Sequence, residues 1–396
     1  MRTLQQLKSL RGQRVIVRCD FDIAVSGEHI LREEAWRLDK AVPTLNWLAS
    51  KGAIVYAIGH RGRPGGKKSA ELSLKPVAAY LSRQCRCAVP FFETIAEAVK
   101  TKLAPGTIGV LENLRFYNGE EKNDPRFVAE LAKLGKIFVN DAFATSHRTH
   151  ASTVGLAKKL PAYAGLQLLK EVGVLEHVVK SATPPLVAVI GGIKMETKLP
   201  VIEHLLPHAD SILLGGGIAS TVLAAQGYKV GASPVQKEFL AFAKKIAGEE
   251  NIIMPVDVVV GGIGKSRSYR VEPIRAGHKE ICQKNEAIKD IGPGTVVLYS
   301  EYIRQARTII WNGPMGEFER EPFNHGTISL ARVIAVKSKG PAYGVVGGGE
   351  TVQALQQSGL IHLMDHVSTG GGAMLEMLAG KKLSAVEVLR AKKVKK

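Results

Sequence analysis

Cysteine, aromatic residues and acidic charge are all scarce in this chain. The four cysteines, Cys19, Cys85, Cys87 and Cys282, form no Cys-x-x-Cys pair, so a zinc site of that type is excluded and free thiols in a reducing cytoplasm are expected. Aromatics make up 6% of the sequence against 41 glycines and a hydrophobic fraction of 45%, a balance that suits a soluble α/β enzyme. No uninterrupted apolar run reaches the roughly 18 residues of a membrane span, and the opening Met1–Lys8 lacks the apolar core of a signal peptide. There is no Gly-x-Ser-x-Gly elbow and no cysteine in a nucleophile pattern, so no covalent intermediate is expected. Gly264-Lys265-Ser266 looks like the end of a P-loop, but Val259 stands where that motif needs its first glycine, and the segment reads as a loop. No internal repeat or low-complexity segment occurs. Acidic residues number 36 against 54 Lys and Arg, a formal charge of +18. The cations are spread along the chain rather than packed into one arm, and the densest cluster, Lys392-Lys393-Val394-Lys395-Lys396, reads as a solvated tail. A length of 396 residues points to two domains.

What the chain does have is a series of short apolar runs that end in glycine. Pro185–Ile190 runs into Gly191-Gly192-Ile193-Lys194, Ser211–Leu214 into Gly215-Gly216-Gly217, and Thr308–Trp311 into Asn312-Gly313-Pro314. Ala342–Val346 runs into Gly347-Gly348-Gly349-Glu350, and His366–Thr369 into Gly370-Gly371-Gly372. Runs without alternation suit strands buried on both faces, hence parallel sheets flanked by helices, with ligands beyond the carboxyl ends of the strands. Glycine there lets backbone N–H groups approach a phosphate, and a helix starting just afterwards turns its positive end to the anion. These ends read as a nucleotide site.

The first half has the same strand-then-helix rhythm with different ends. Arg14–Arg18, Ala53–Ile58, Thr107–Leu111 and Ile137–Val139 lead into polar segments carrying arginine and histidine. Arg37, His60, Arg63, Arg115, His147, Arg148 and His150 form a basic set, Arg37 on a helix and the others at or beyond strand ends. Several guanidiniums converging on one pocket would hold a small molecule bearing both phosphate and carboxylate, although His147 and His150 fit a structural imidazole equally well. Residues 161–184 read as one amphipathic connecting helix, with Leu168, Val172, Leu175 and Val179 at helical spacing and Pro184-Pro185 as its stop. The expected organisation is a first doubly wound domain over 1–160, the connector over 161–184, a second doubly wound domain over 185–378 across a cleft, and a C-terminal segment over 379–396 that packs back on the first.

Val17-Arg18-Cys19-Asp20-Phe21, His60-Arg61-Gly62-Arg63-Pro64, Leu111–Phe116, Gly119–Asp124, Val139–Phe143, His147-Arg148, Pro255-Val256-Asp257, Trp311–Pro314 and Ser368–Ala373 together resemble the phosphoglycerate kinase family, in its order and spacing over essentially the whole chain. The resemblance implies two Rossmann-like domains that close about a hinge, and direct phosphoryl transfer from 1,3-bisphosphoglycerate to ADP with Mg²⁺, giving 3-phosphoglycerate and ATP. It implies that Asp20, Asp22, Arg37, His60, Arg63, Arg115 and Arg148 hold the phosphoglycerate, with Arg37, Lys194 and Lys198 catalytic. The nucleotide would take Gly191, Gly192, Ile193, Lys194, Lys198, Gly215–Gly217, Asn312, Glu317, Glu319, Gly347–Gly349, Glu350 and Thr351, with Glu350 serving the metal and Gly370–Gly372 the transferring phosphate. It implies a cytoplasmic monomer acting on small molecules, with neither membrane nor nucleic acid as partner.

The chain departs from the family pattern at several positions. Asp22 replaces Asn, Ala24 Pro, Ala144 Gly, Thr197 Asp, Gly294 Lys and Glu350 Asp. A carboxylate at Asp22 should repel an anionic substrate unless compensated, and Arg61, where the family is apolar, is a candidate for that compensation. Ile193 for Ala and Glu317 for Val fall where the base should lie, so relaxed base preference competes with a Glu317 that faces solvent. The other functions compatible with these residues are a degenerate paralogue that binds polyanions or nucleic acid and a kinase for another acyl phosphate. Joint retention of Arg37, Lys194, Lys198 and a metal carboxylate favours the enzyme.

Overall fold

Apolar runs buried from end to end account for both sheets. A computed structural model describes residues 1–27, 29–264 and 268–390, so Lys265 and Ser266 of the P-loop-like segment and the lysine cluster after Ala391 lie outside the described residues. The chain divides into two compact units, one of Met1–Val174 with the described residues from Lys382, the other of Leu175–Lys381.

In the first unit a six-stranded sheet runs in the order Phe91–Phe92, Ile108–Leu111, Ile54–Ile58, Arg14–Arg18, Ile137–Asn140, Ala162–Ala164. All neighbours are parallel. The second unit repeats the plan with Ile252–Ile253, Ser211–Leu214, Leu186–Ile190, Thr308–Asn312, Tyr343–Gly347 and His366–Val367, again all parallel. Every residue of Ile54–Ile58 and of Leu186–Ile190 is buried, which is why neither run alternates. In each unit the first strand sits centrally; the chain builds outward on one side and then returns to build on the other. The order therefore reverses between Arg14–Arg18 and Ile137–Asn140, and again between Leu186–Ile190 and Thr308–Asn312. Such reversals open a crevice at the strand ends, where α/β sheets bind ligands.

The structure differs from the sequence-based expectation in two places. The connecting helix does not begin at Pro161: Ala162–Ala164 pairs with Ile137–Asn140 as an edge strand, and the helix spans Leu166–Ser181. Its start is set by Asp141, whose Oδ1 accepts the N–H groups of Gln167 (2.9 Å) and Leu168 (3.1 Å). The second unit also carries an antiparallel sheet of Tyr269–Pro273, Asp257–Gly262 and Glu286–Ile291, outside the strand-then-helix rhythm. At the C-terminus, helix Ser384–Arg390 buries Val386 and Leu389 and donates the Ala385 N–H to the Ser146 carbonyl of the first unit. Among the described residues no helix is long and apolar enough to cross a membrane.

Asp257 starts helix Pro293–Gln305 as Asp141 starts the connector. Its carboxylate accepts Gly294 N–H at 2.9 Å, Thr295 N–H at 2.7 Å and the Thr295 hydroxyl at 2.7 Å. Replacing Asp257 by Ala should cost about 2 kcal/mol, with a fall in Tm of several degrees in thermal unfolding. An unchanged Tm would show that the helix start does not depend on this carboxylate.

Candidate functional site

At the reversal in the first unit, strand Arg14–Arg18 delivers a buried arginine and two aspartates. Arg18 is 0% exposed; its Nε donates to Ser152 Oγ at 2.9 Å and its Nη2 to His60 Nδ1 at 2.7 Å. Ser152 in turn donates to the buried Glu120 at 2.5 Å, so the guanidinium is held from behind. Asp20, 7% exposed, accepts the Ala144 N–H on Oδ2 at 2.8 Å, while its buried Oδ1 has no hydrogen-bond partner. Burial pushes its carboxyl up to about 6 against the pull of Arg18. An acceptor left open in this way is suited to a ligand hydroxyl.

His60 is the hinge of the cluster. A guanidinium can only donate, so Nδ1 accepts from Arg18 and the neutral ring carries its proton on Nε2, 3.5 Å from Asp22 Oδ2. Burial, followed by the nearby Arg18 and Arg115 charges, lowers His60 to about 3 although Asp22 opposes the shift. Asp22 has its other oxygen on the Gly62 N–H at 2.8 Å. Burial raises its carboxyl, but the contact with His60 and the Gly62 bond outweigh this and hold it well below its ordinary range. The compensation expected from Arg61 takes another form: its guanidinium donates to the carbonyls of Ile23 (3.1 Å) and Ser73 (3.0 Å) and acts on Asp22 only through space. Asp22 is thereby a clamp on the 60–63 loop.

Around this core stand the remaining cations. Arg37, on helix Arg32–Asp39, donates to the Asp22 carbonyl at 2.9 Å and to Glu34 at 3.1 Å. Arg115 donates to the Gly62 carbonyl at 2.7 Å, and its buried Nη2 has no hydrogen-bond partner. Arg148 donates to His147 at 3.3 Å and, after burial and Arg115 and Arg18, helps lower His150 to about 4. Arg63 is exposed on the same loop. The structure thus brings together Asp20, Asp22, Arg37, His60, Arg115 and Arg148. Arg18, which the sequence did not single out as a site residue, joins them; a charge closing an apolar run two residues before Asp20 was its one trace.

The reversal in the second unit holds a cleft of about 460 Å³. Gly192, Ile193, Lys194 and Lys198 line one side, and Asn312, Gly348, Gly349, Glu350 and Thr351 another, with Gly371 and Gly372 beyond. The Trp311 indole is fully buried and donates to the Gly313 carbonyl at 2.9 Å, while Thr351 Oγ1 accepts the Gly313 N–H at 2.7 Å; Gly313 can bend there because it adopts φ +96°. Helices Gly349–Gln357 and Gly371–Leu378 begin at the cleft without a side-chain cap. A Cβ on Gly349 would meet nothing within 4 Å, which leaves that first turn open to a ligand. Lys198 is 7% exposed, and burial lowers it to about 8 with Glu350 opposing. Asn312 donates to the Gly347 carbonyl at 2.8 Å and has a buried Oδ1 without a partner.

The other nucleotide candidates lie elsewhere. Gly191 packs against the Pro314 carbonyl and Gly216 against Gly192, so these glycines let neighbouring loops stack behind the cleft. Gly215 and Gly347 likewise abut Met315 and Met374 sulfurs, and Gly217 lies against Ile193. Gly370 is buried and donates to Ser368 Oγ at 3.3 Å. Glu319 is exposed and outside the cleft lining. Glu317 is also outside it, with Oε1 2.6 Å from Lys289 Nζ and Oε2 3.9 Å from Arg320. Among the described residues no three His, Cys, Asp or Glu side chains gather as a ready metal cage. Glu350 beside two open helix starts fits a cation held by one carboxylate and by phosphate oxygens, the usual arrangement for Mg²⁺ with a nucleotide.

The family model described as phosphoglycerate kinase matches residues 4–381. The chain is 44% identical over 393 residues to a phosphoglycerate kinase of Desulforudis audaxviator, covering 96% of this chain and 97% of the relative, and 42% identical to one of Zymomonas mobilis, covering 98% and 99%. Its fold is similar to the solved phosphoglycerate kinase of Coxiella burnetii, with TM-score 0.86 and 40% identity over 98% of this chain and 99% of that one.

His60 yields a direct spectroscopic test. In ¹⁵N-labelled protein its ring should remain neutral, with the proton on Nε2, from pH 8 down to pH 5; titration near 6.5 would contradict the cluster. Because the folded value lies below the unfolded 6.5, its contribution to stability is complete above about 6.5 and is lost as pH falls toward 3. The Tm should therefore fall on acidification through that window.

Proposed function

The chain belongs to the phosphoglycerate kinase family, and we propose that the Asp20–Arg115 cluster holds its phosphoglycerate and the Lys198 cleft its nucleotide. The reaction is reversible phosphoryl transfer from 1,3-bisphosphoglycerate to ADP, giving 3-phosphoglycerate and ATP, with Mg²⁺. The observation that carries the assignment is the unsatisfied Asp20 Oδ1, a buried acceptor set among guanidiniums. Phosphate and carboxylate of the glycerate would lie on Arg37, Arg63, Arg115 and Arg148, His60 would hold the loop in place through Arg18 and Asp22, and the glycerate hydroxyl would donate to Asp20.

In phosphoryl transfer the charge spreads over the equatorial oxygens, so the enzyme positions and neutralises rather than attacks. Lys194 and Lys198 would approach the nucleotide phosphates, with the N–H groups that open helices Gly349–Gln357 and Gly371–Leu378 as further donors. A bound polyphosphate favours the Lys198 ammonium and so reverses the effect of its burial. Glu350 would hold Mg²⁺ together with nucleotide phosphate oxygens, and the ion would supply neutralisation of their charge. Transfer needs donor and acceptor side by side with water excluded, since water would hydrolyse an acyl phosphate; domain closure is the expected means. Cations dispersed along the sequence suit small anions better than a nucleic acid, and the reading includes a cytoplasmic monomer.

Two substitutions test the two half-sites. In Asp20→Asn the Ala144 N–H keeps the amide oxygen, which turns the NH₂ toward the ligand and replaces an acceptor with a donor. The KM for 3-phosphoglycerate should rise about tenfold or more while that for ATP stays within about twofold. Lys198→Ala should lower kcat on the order of 10²-fold with Tm nearly unchanged. An unaltered KM in the first or an unaltered kcat in the second would remove that residue from its role.

A further inference from the structure

Outside both half-sites, the first unit has a groove of about 590 Å³. At its base is the Glu112 carboxylate, which accepts the Ser73 hydroxyl at 2.7 Å and the N–H groups of Leu74 (2.8 Å) and Asn113 (2.7 Å). Three donors fix that carboxylate as part of the wall. Pro76, Ala79 and Phe116 supply apolar surface, and Lys68, Lys75 and Arg83 line the groove as cations, outnumbering Glu93, the one carboxylate of the lining besides Glu112. The volume lies within the roughly 300–1,000 Å³ of small-molecule sites. An apolar wall beside clustered cations matches an anion with a flat apolar body better than a bare inorganic ion, which would use the cations alone.

The groove is also wired to the 60–63 loop. Arg61 Nη1 donates to the Ser73 carbonyl at 3.0 Å, and Asn113 Nδ2 donates to the carbonyls of Arg61 (2.7 Å) and Leu72 (2.9 Å). Leu72 packs so closely on Gly62 that a Cβ there would lie 2.6 Å from Leu72 Cδ2. The same loop offers the Gly62 N–H to Asp22 and the Gly62 carbonyl to Arg115. Ser73 therefore lines the groove while its own carbonyl and neighbouring Leu72 brace the 60–63 loop.

We propose that this groove is a second ligand site, for a small amphipathic organic anion, and that its occupant strengthens phosphoglycerate binding by holding segment 72–74 against the His60–Arg63 loop. The coupling rests on the assignment of that loop to phosphoglycerate; the groove's own binding does not.

Phenyl phosphate is a suitable probe. Titrated into ¹⁵N-labelled full-length protein saturated with 3-phosphoglycerate and MgADP, it should shift the amides of Lys75, Ala79 and Phe116 saturably. In turnover assays it should lower the KM for 3-phosphoglycerate about fivefold. Competition at the substrate site would raise that KM, so the sign separates the two effects. The double variant Lys75→Glu, Arg83→Glu should keep basal turnover and lose both responses, and Arg61→Met should keep the amide shifts and lose the KM effect. The proposal is overturned by no saturable shifts, by shifts that survive the double variant, or by inorganic phosphate matching phenyl phosphate. Shifts without any KM effect in the wild type would overturn the coupling. If Asp20→Asn leaves the phosphoglycerate KM unchanged, the assignment of the loop fails while binding in the groove remains measurable.

Discussion

Where helix starts find their hydrogen-bond acceptors is the constraint on which this structure depends. Every helix presents unpaired N–H groups at its start, and each needs an acceptor. At the connector, at Pro293–Gln305 and at His325–Ser338 the acceptor comes from a distant carboxylate: Asp141 on Gln167 and Leu168, Asp257 on Gly294 and Thr295, and Asp290 on Gly326 at 2.7 Å. These bonds join helices to strands and fix where each element begins. Helices Gly349–Gln357 and Gly371–Leu378 have no such cap and open on the cleft. Other helices, such as Val42–Ser50 and Lys75–Cys85, also start without a side-chain cap; what sets these two apart is that their free N–H groups border the cleft, where nucleotide phosphates would meet them.

The first unit solves the opposite problem. There the fold gathers guanidiniums in a setting that disfavours charge, and backbone carbonyls hold them apart: Gly62 for Arg115, Asp22 for Arg37, Ile23 and Ser73 for Arg61. Burial first, and the neighbouring guanidiniums after it, drive His60 and His150 neutral. A doubly charged anion bound there would relieve the repulsion among those guanidiniums. The departure at Asp22 fits this frame, because its carboxylate is occupied by Gly62 and His60.

The parallel sheets were legible because buried β-branched runs such as Ile54-Val55-Tyr56-Ala57-Ile58 leave little else to be. Asp20, His60 and Arg115 were legible as polar residues at the ends of such runs. Arg18 was not, since a single arginine in a strand gives no sign of which neighbours will bury it. Ala162–Ala164 is too short and too small to announce a strand and forms one because Ile137–Asn140 offers it an open edge. Glu317 pairs with Lys289, 28 residues away on the antiparallel sheet, a contact that only folding creates. At Gly294 the backbone N–H serves the Asp257 cap, a role that needs no side chain at that position.

The central claim is that the two uncapped helix starts bordering the cleft, at Gly349 and Gly371, take the nucleotide phosphates. Amide chemical shifts on addition of MgATP, without phosphoglycerate, test it most directly. Gly349, Glu350, Thr351, Gly371 and Gly372 should shift strongly and saturably, while Gln167, Thr295 and Gly326 at the aspartate-capped starts should stay in place. Large shifts at the capped amides, or none at Gly349–Thr351, would contradict the account.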